Sequence, residues 1–213
     1  MSHPPILAPA TEPMTEGESL ENPATGERGV LVKSPWTGPD RSLEADLYVQ
    51  PGGAVVGEHV HHNFDERFTV RSGQIAFKLD GAESVAGPGD VVEIPRGHWH
   101  DWWNASSEQE ASARVWVSEG ARFIQMIETL FGLASDGHTD EKGMPDPLQL
   151  AMFATEFHDV LVLRRPPAAV QAAIFGLLRP IARARGYRGT YPQYQRSLLS
   201  PEPETGTASQ PRP

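Results

Sequence analysis

The hydrophobic pattern changes its period once along the chain, at about residue 118. Up to that point apolar and polar residues alternate over short runs, as they do over 43–49, which is typical of strands with one face turned inward. After residue 118 the apolar residues recur every three or four positions, which indicates amphipathic helices. The pattern therefore predicts a mainly β domain followed by an α-helical C-terminal region.

The β part consists of several short runs at close spacing. Turn signals separate them, and Asp80-Gly81 in particular favours a tight hairpin. The predicted strands cover 29–33, 43–49, 74–79, 83–86 and 111–117, together with two histidine-bearing segments within 53–104. Strands of this number and spacing favour an antiparallel barrel or sandwich.

Two helices are predicted directly after the β part. The first covers 123–131, and Gly132 suits the position just past a helix end. The second starts at Asp146-Pro147, a capping residue followed by proline at the first helical position, and runs to about residue 161. The polar segment between them is expected to be a solvated loop.

A third helix follows Pro166-Pro167 and is expected to kink or break at Pro180. Its apolar face is formed by Val170, Ile174, Leu177 and Ile181. Its opposite, basic face is formed by Arg179 and Arg183. Residues 160–200 hold seven arginines and no acidic residue. We expect this helix to pack on the acidic β domain or in a homodimer, and peripheral membrane contact through 167–188 is the alternative.

Composition limits the class of protein. The chain has 213 residues, no cysteine and a formal net charge of −10, so disulfides and thiolate metal sites are excluded and a nucleic-acid-binding surface is disfavoured. No basic segment followed by an apolar run opens the chain, and no apolar stretch approaches bilayer length. We expect a soluble, cytoplasmic protein.

The two ends of the chain are poor in large apolar residues. Proline, threonine and glutamate dominate 1–21, and 200–213 is polar throughout. Such segments cannot bury enough surface to offset their chain entropy. The predicted organisation is a disordered arm over 1–21, a β domain over 22–118, a helical extension over 119–199 and a disordered tail over 200–213.

Four side chains within the β domain have the character of metal ligands. His59 and His61 leave the same face of an extended strand because side chains alternate. Glu66 follows shortly after, and His100 comes after Pro95 and Gly97, which suit a bend. Three imidazoles and one carboxylate suit Fe(II), Mn(II), Ni(II), Zn(II) or Cu(II) and leave coordination positions open.

The spacing of these residues resembles the two motifs of the cupin superfamily. The first motif, G-x5-H-x-H-x3,4-E-x6-G, is matched from Gly53 to Gly73, and the second, G-x5-P-x-G-x2-H-x3-N, from Gly89 to Asn104. The resemblance implies a cupin-type antiparallel β-barrel, also described as a double-stranded β-helix or jelly roll. It also implies that one metal is held inside the barrel by His59, His61, Glu66 and His100.

Strand parity predicts which side chains share the face of the metal. The candidates for the wall of a substrate pocket are Asn63, Phe68, Val70, His98 and Trp102. Most of them are apolar, so the pocket suits a small organic molecule better than a phosphate. His98 is the candidate for a separate catalytic acid or base, with Glu93 as a weaker one that parity turns outward.

Two functional classes fit these observations. The first is a metal-dependent enzyme acting on a small carbonyl, enol or diol compound, either a dioxygenase or an isomerase or decarboxylase that polarises a substrate oxygen. The second is a ligand-binding cupin module without catalysis, whose helical extension engages a protein partner or a membrane surface. We favour the enzyme.

Overall fold

The computed structural model describes residues 3–37, 39–55 and 57–199, and its strands form two antiparallel sheets. In spatial order the six-stranded sheet consists of β1 (Ser19–Asn22), β2 (Glu27–Lys33), β3 (Leu43–Val49), β10 (Ala111–Val117), β5 (Glu66–Ser72) and β8 (Val91–Ile94). The five-stranded sheet consists of β11 (Val162–Leu163), β4 (His59–Val60), β9 (His100–Asn104), β6 (Ile75–Leu79) and β7 (Ala82–Ala86).

Helices follow the β part, as predicted. They are α1 (Gly120–Ser135), α2 (Pro147–Glu156) and α3 (Ala168–Ala184), and a short 3-10 helix lies at Ser197–Leu199. The fold is therefore a cupin-type sandwich or barrel of antiparallel strands with a helical C-terminal region, and this expectation is confirmed.

Aromatic side chains join the two sheets. Phe68 on β5 packs its ring 5.3 Å from that of Phe77 on β6 and 5.9 Å from that of Trp102 on β9. All three are buried, and each contributes on the order of 2 kcal/mol through its burial. The core thus lies between the sheets, on the faces that strand alternation turns inward.

The hairpin between β6 and β7 forms where the sequence predicts it. Asp80 and Gly81 both adopt positive φ angles, 48° and 89°, as a two-residue hairpin turn requires. The strand register then pairs Leu79 with Ala82 and continues along both strands.

Helix α1 is longer than predicted, because it continues through Gly132. A Cβ atom at Gly132 would lie 2.5 Å from the ring of Tyr194. The glycine therefore permits a close approach of the C-terminal segment to the helix, and the prediction that it ends the helix is wrong.

Helix α2 begins as predicted and ends earlier. The Asp146 side chain accepts hydrogen bonds from the backbone amides of Leu148 and Gln149, and Pro147 occupies the first turn. After Glu156 the chain turns and enters β11 instead of continuing as a helix to residue 161. β11 pairs with β4 and covers a sheet edge whose backbone groups would otherwise be open.

Helix α3 runs through Pro180 without a break. Proline removes the amide that would bond to the carbonyl of Gly176, and Gly176 is exposed, so water can take that place. The expectation of a break at Pro180 is therefore not met.

Part of the segment expected to be a disordered arm packs against the body of the protein. Met14 is buried in the core. The amide of Ala10 donates to the carbonyl of Pro192 at 3.2 Å, and the amide of Gly17 donates to that of Leu31 at 2.7 Å. These contacts do not fit a free arm over 1–21. The remaining domain boundaries stay predictions, and the tail expected over 200–213 lies outside the described residues.

No helix in the described part of the chain is long and apolar enough to cross a bilayer. The cytoplasmic location expected from the sequence stays a prediction.

Truncation after Ser118 should leave a protein that aggregates. The cut removes α1, whose Gly120 lies directly on Leu43 and whose apolar residues cover the interior of the β part, and it uncovers the edge of β4. Size-exclusion chromatography and thermal unfolding of the truncated and full-length chains measure this. A truncated protein that stays soluble with the subunit count of the full chain would contradict it.

Candidate metal centre

Four buried side chains converge at one end of the β part. The nitrogen and oxygen atoms that His59, His61, Glu66 and His100 offer to an ion all lie within 4.8 Å of one another. The exposed fraction of each residue lies between 1% and 4%. The four ligands predicted from the sequence are thus brought together.

Each ligand stands at the start of a strand or just beyond one. His59 begins β4 and faces His100, which begins β9, as its register partner. His61 follows the end of β4, and Glu66 begins β5. Pro95 and Gly97 form the turn before β9, where the amide of Gly97 donates to the carbonyl of His61 at 2.7 Å.

Backbone carbonyls orient all three imidazole rings. The Nδ1 atoms of His59, His61 and His100 lie 2.8, 2.6 and 3.1 Å from the carbonyl oxygens of Gly57, Val160 and His98, respectively. A carbonyl can only accept, so each Nδ1 carries the hydrogen. Each Nε2 is then free to bind a metal, which is the arrangement typical of histidine ligands.

The ligand atoms lack other partners. Among the described residues, Nε2 of His61, Nε2 of His100 and Oε2 of Glu66 are buried and form no aligned hydrogen bond. Oε2 of Glu66 lies 3.5 Å from Nε2 of His61 and 3.1 Å from Nε2 of His100. Such groups are costly to bury unless something binds them, and a divalent transition metal fits this set of donors.

The electrostatics of the cluster are those of a cation site. Burial lowers the pKa of His59 well below its usual value, and the neighbouring histidines lower it further. Burial alone would raise the pKa of Glu66, but His61 and His100 outweigh it and hold that pKa below its usual range. Neutral imidazole and ionised carboxylate are the forms that bind metals.

The other motif residues hold the backbone around the cluster. The Asn104 amide donates to the carbonyls of Val49 and Gln109, at 2.9 and 2.8 Å, which fixes the far end of β9. A Cβ atom at Gly53 would lie 2.7 Å from the carbonyl oxygen of Thr25, and one at Gly73 would lie 2.7 Å from the backbone of Ala111. Both positions therefore require glycine.

Comparison with known protein families agrees with this geometry. Residues 46–118 match the model of the cupin domain, and this segment contains all four ligands. Residues 46–118 therefore form a cupin domain. A search of curated proteins finds no match.

Solved structures of several differently described proteins are similar to part of this chain. A sugar phosphate isomerase from Silicibacter pomeroyi is 20% identical, with a TM-score of 0.38, and the match covers 45% of this chain and 61% of that one. KdgF from Halomonas sp. is 16% identical (TM-score 0.41, 51% and 94% covered). A protein described as a predicted oxalate decarboxylase from Thermotoga maritima is 21% identical (TM-score 0.42, 47% and 90% covered).

An apolar cavity of about 110 Å³ adjoins the metal ligands. His59, His61 and Glu66 line it. Helix α1 closes it with a row of apolar side chains that includes Phe123, Ile127, Leu130 and Phe131. This volume is below the range of sites for drug-sized ligands, so the cavity suits a small molecule.

Two of the five predicted pocket residues line the cavity. These are Phe68 and Trp102. Val70 is buried in the core outside the cavity lining. The exposed Asn63 donates from its amide to the carbonyl of Asp159 at 2.7 Å.

The predicted acid or base does not face the cavity. The His98 side chain is 47% exposed, and its Nδ1 lies 2.6 Å from a carboxylate oxygen of Asp80. Glu93 is exposed and lies 3.8 Å from Arg67 on the outer surface, as parity predicts. His98 therefore does not line this cavity, and its role as a catalytic acid or base stays a prediction.

Sequence analysis missed a carboxyl group that does line the cavity. Glu27 begins β2 and points inward together with Gly29 and Leu31, the alternate residues of that strand. Among the described residues, it is the one ionisable group of the cavity lining outside the metal cluster. Its parity with the inward Leu31 could have revealed it, but the predicted strand began two residues later.

Glu27 has one side-chain partner, the hydroxyl group of Thr25, which donates to it at 2.5 Å. Burial raises the pKa of Glu27 to about 7, although the Thr25 bond opposes this. A carboxyl group with such a pKa can both hold and release a proton near neutral pH.

Replacing one ligand should remove the metal, and replacing its neighbour should not. We expect His61→Ala to lower the bound metal per chain at least about tenfold, since it removes one of the four donors. His62→Ala is the matched control, because His62 is exposed. Elemental analysis of both purified variants checks this. Equal losses from the two variants would contradict the ligand assignment.

The raised pKa of Glu27 predicts a dependence of stability on pH. A folded-state pKa above the unfolded value favours the folded state at low pH, and this contribution is lost as the pH rises from about 4.5 through about 7. The free energy of unfolding of wild type, measured relative to Glu27→Gln, should fall over that window by about 3 kcal/mol.

Denaturant titrations of both proteins across this window measure the difference. Burial also raises the pKa of Glu128 to about 7. Both proteins contain Glu128, so its contribution to the pH dependence cancels in the difference. A difference that does not change with pH would show that Glu27 titrates normally.

Proposed function

We propose that this cupin is a metal-dependent enzyme that transfers a proton within a small, mainly apolar organic molecule. One observation carries the proposal: three of the metal ligands and the additional carboxyl group of Glu27 line the same apolar cavity. Isomerases and decarboxylases can use this combination of a bound metal and a separate acid or base.

Each part of the site has a distinct task. His59, His61, Glu66 and His100 would hold the ion, which supplies Lewis-acid polarisation of a substrate oxygen when it is bound. The apolar walls, among them Phe68 and Trp102, exclude water and orient the carbon skeleton.

Glu27 moves the proton. Its carboxylate accepts a proton from a carbon next to the substrate carbonyl and returns it to another atom of the same molecule. No net oxidation takes place, so no additional oxidant is needed. This task requires a group whose pKa lies near the working pH, and Glu27 meets that requirement.

Two other functions remain as alternatives. A dioxygenase reaction on an enol or diol is favoured by the donor set, which leaves coordination positions open. A binding module without turnover is favoured by α1, whose Phe123 and Ile127 lie over the cavity and close it.

Hydrogen–deuterium exchange tests the proposal without knowledge of the natural substrate. Protein loaded with Fe(II), Mn(II), Ni(II) or Zn(II) is incubated in D2O, without oxygen, with hydroxyacetone, acetoin or butane-2,3-dione, and NMR follows the loss of C–H signals. We expect catalysed exchange of at least one compound. Glu27→Gln should slow it by about 100-fold or more while it keeps its metal.

Glu93→Gln is the matched control, because Glu93 lies on the outer surface, and it should exchange at the wild-type rate. Saturable binding without exchange would favour the binding module. Metal-dependent consumption of O2 that is unaffected by Glu27→Gln would favour the dioxygenase.

A further inference from the structure

Helix α3 presents an apolar stripe to solvent. Its four large side chains follow one another at intervals of four, three and four residues, so they share one face of the helix. Their exposed fractions are 45% for Val170, 41% for Ile174, 73% for Leu177 and 46% for Ile181. Single exposed apolar side chains are ordinary, but a contiguous row of them marks a binding surface.

The stripe cannot turn inward, because another face of α3 is already fixed. The buried Gln171 amide donates to the carbonyls of Leu163 and Pro166 at 2.7 and 2.6 Å. Ala182, about three helical turns further along α3, is fully buried. α3 therefore packs on its own chain through this face and leaves the stripe without a partner in the described part of the protein.

Several arginines on and near α3 form no ion pair with a carboxylate. Seven arginines form ion pairs with a carboxylate: Arg67, Arg71, Arg96, Arg114, Arg122, Arg164 and Arg196. Within the described residues, no such ion pair involves Arg165, Arg179, Arg183, Arg185 or Arg188. Arg28 and Arg41 are the other two described arginines without such a pair, so five of the seven lie on this segment, although the chain as a whole carries −10.

The unpaired arginines bracket the stripe. Arg165 lies just before α3, Arg183 lies in its last turn, and Arg185 and Arg188 follow its end. A helix with an apolar face and cations around it is suited to the boundary between lipid headgroups and acyl chains. We propose that α3 attaches this protein to an anionic lipid surface, with the stripe in the apolar boundary and the arginines at the phosphate groups.

Charge argues against a second copy of the chain as the occupant. Two stripes paired about a twofold axis would bring the unpaired arginines of both copies to one interface. Residues 160–200 contain no acidic residue that could neutralise them, and like charges destabilise such a contact. Anionic headgroups neutralise the same arginines, each with a gain of about fivefold in binding.

Vesicle flotation of the full-length, metal-loaded protein tests the proposal. The probes are vesicles of equal parts phosphatidylglycerol and phosphatidylcholine, and vesicles of phosphatidylcholine alone. We expect flotation with the anionic vesicles at about 0.05 M salt and a loss of at least tenfold in partitioning at about 0.5 M salt. Flotation with the neutral vesicles should be weak at both salt concentrations.

Two variants separate the apolar and the charged contributions. Leu177→Asp should lower partitioning at least about tenfold, because it places a charge in the stripe. The double variant Arg183→Gln, Arg185→Gln should lower it about 25-fold. Val85→Asp is the matched control: Val85 is 59% exposed on β7, at the opposite edge of the sheet from β11, and it should float like wild type.

Circular dichroism and metal content should be unchanged in all variants, since the replaced side chains are exposed. Absence of flotation with anionic vesicles at low salt would overturn the proposal, as would equal flotation of wild type and Leu177→Asp. A dimer in analytical ultracentrifugation that Leu177→Asp dissociates, without vesicle binding, would assign the stripe to a second copy instead.

Discussion

The hydrogen bond between the His61 ring and the carbonyl of Val160 joins the two parts of this molecule. His61 belongs to the cupin domain, and Val160 lies between α2 and β11 in the helical extension, 2.6 Å from Nδ1 of the ring. From α1, Arg122 holds the same loop through Asp159 at 3.1 Å and the carbonyl of Glu156 at 2.8 Å. One metal ligand is therefore oriented by a segment outside the cupin motifs.

This connection gives the extension a structural role at the site. β11 pairs with β4, the strand of His59, and α1 closes the cavity. The segment that contributes the carbonyl continues through β11 into α3, the helix with the exposed apolar stripe. The extension thereby covers the apolar cavity beside the metal ligands.

The cupin ligands could be predicted because their positions depend on local geometry. His59 and His61 have the same strand parity, and the bend at Pro95 and Gly97 places His100 at the start of β9. The Asp80-Gly81 hairpin and the Asp146 cap depend likewise on a few adjacent residues. In each case the tertiary structure leaves the local preference unchanged.

Predictions failed where contacts distant in sequence decide the structure. Gly132 admits the Tyr194 ring instead of ending α1, and the residues after Glu156 leave the helix to cover β4. Parity from His100 did not extend to His98, because His98 closes the turn that precedes β9 and is not part of the strand. Glu27 was missed because β2 begins two residues earlier than predicted, where Glu27 pairs with Val49 of β3.

X-ray absorption spectroscopy of protein purified without added metal tests the metal centre most directly. We expect about one divalent transition ion per chain, with nitrogen and oxygen neighbours at about 2.0 to 2.2 Å and an imidazole scattering pattern from three histidines. A chain that binds no transition metal even after loading, or an ion without histidine neighbours, would contradict a centre formed by His59, His61, Glu66 and His100.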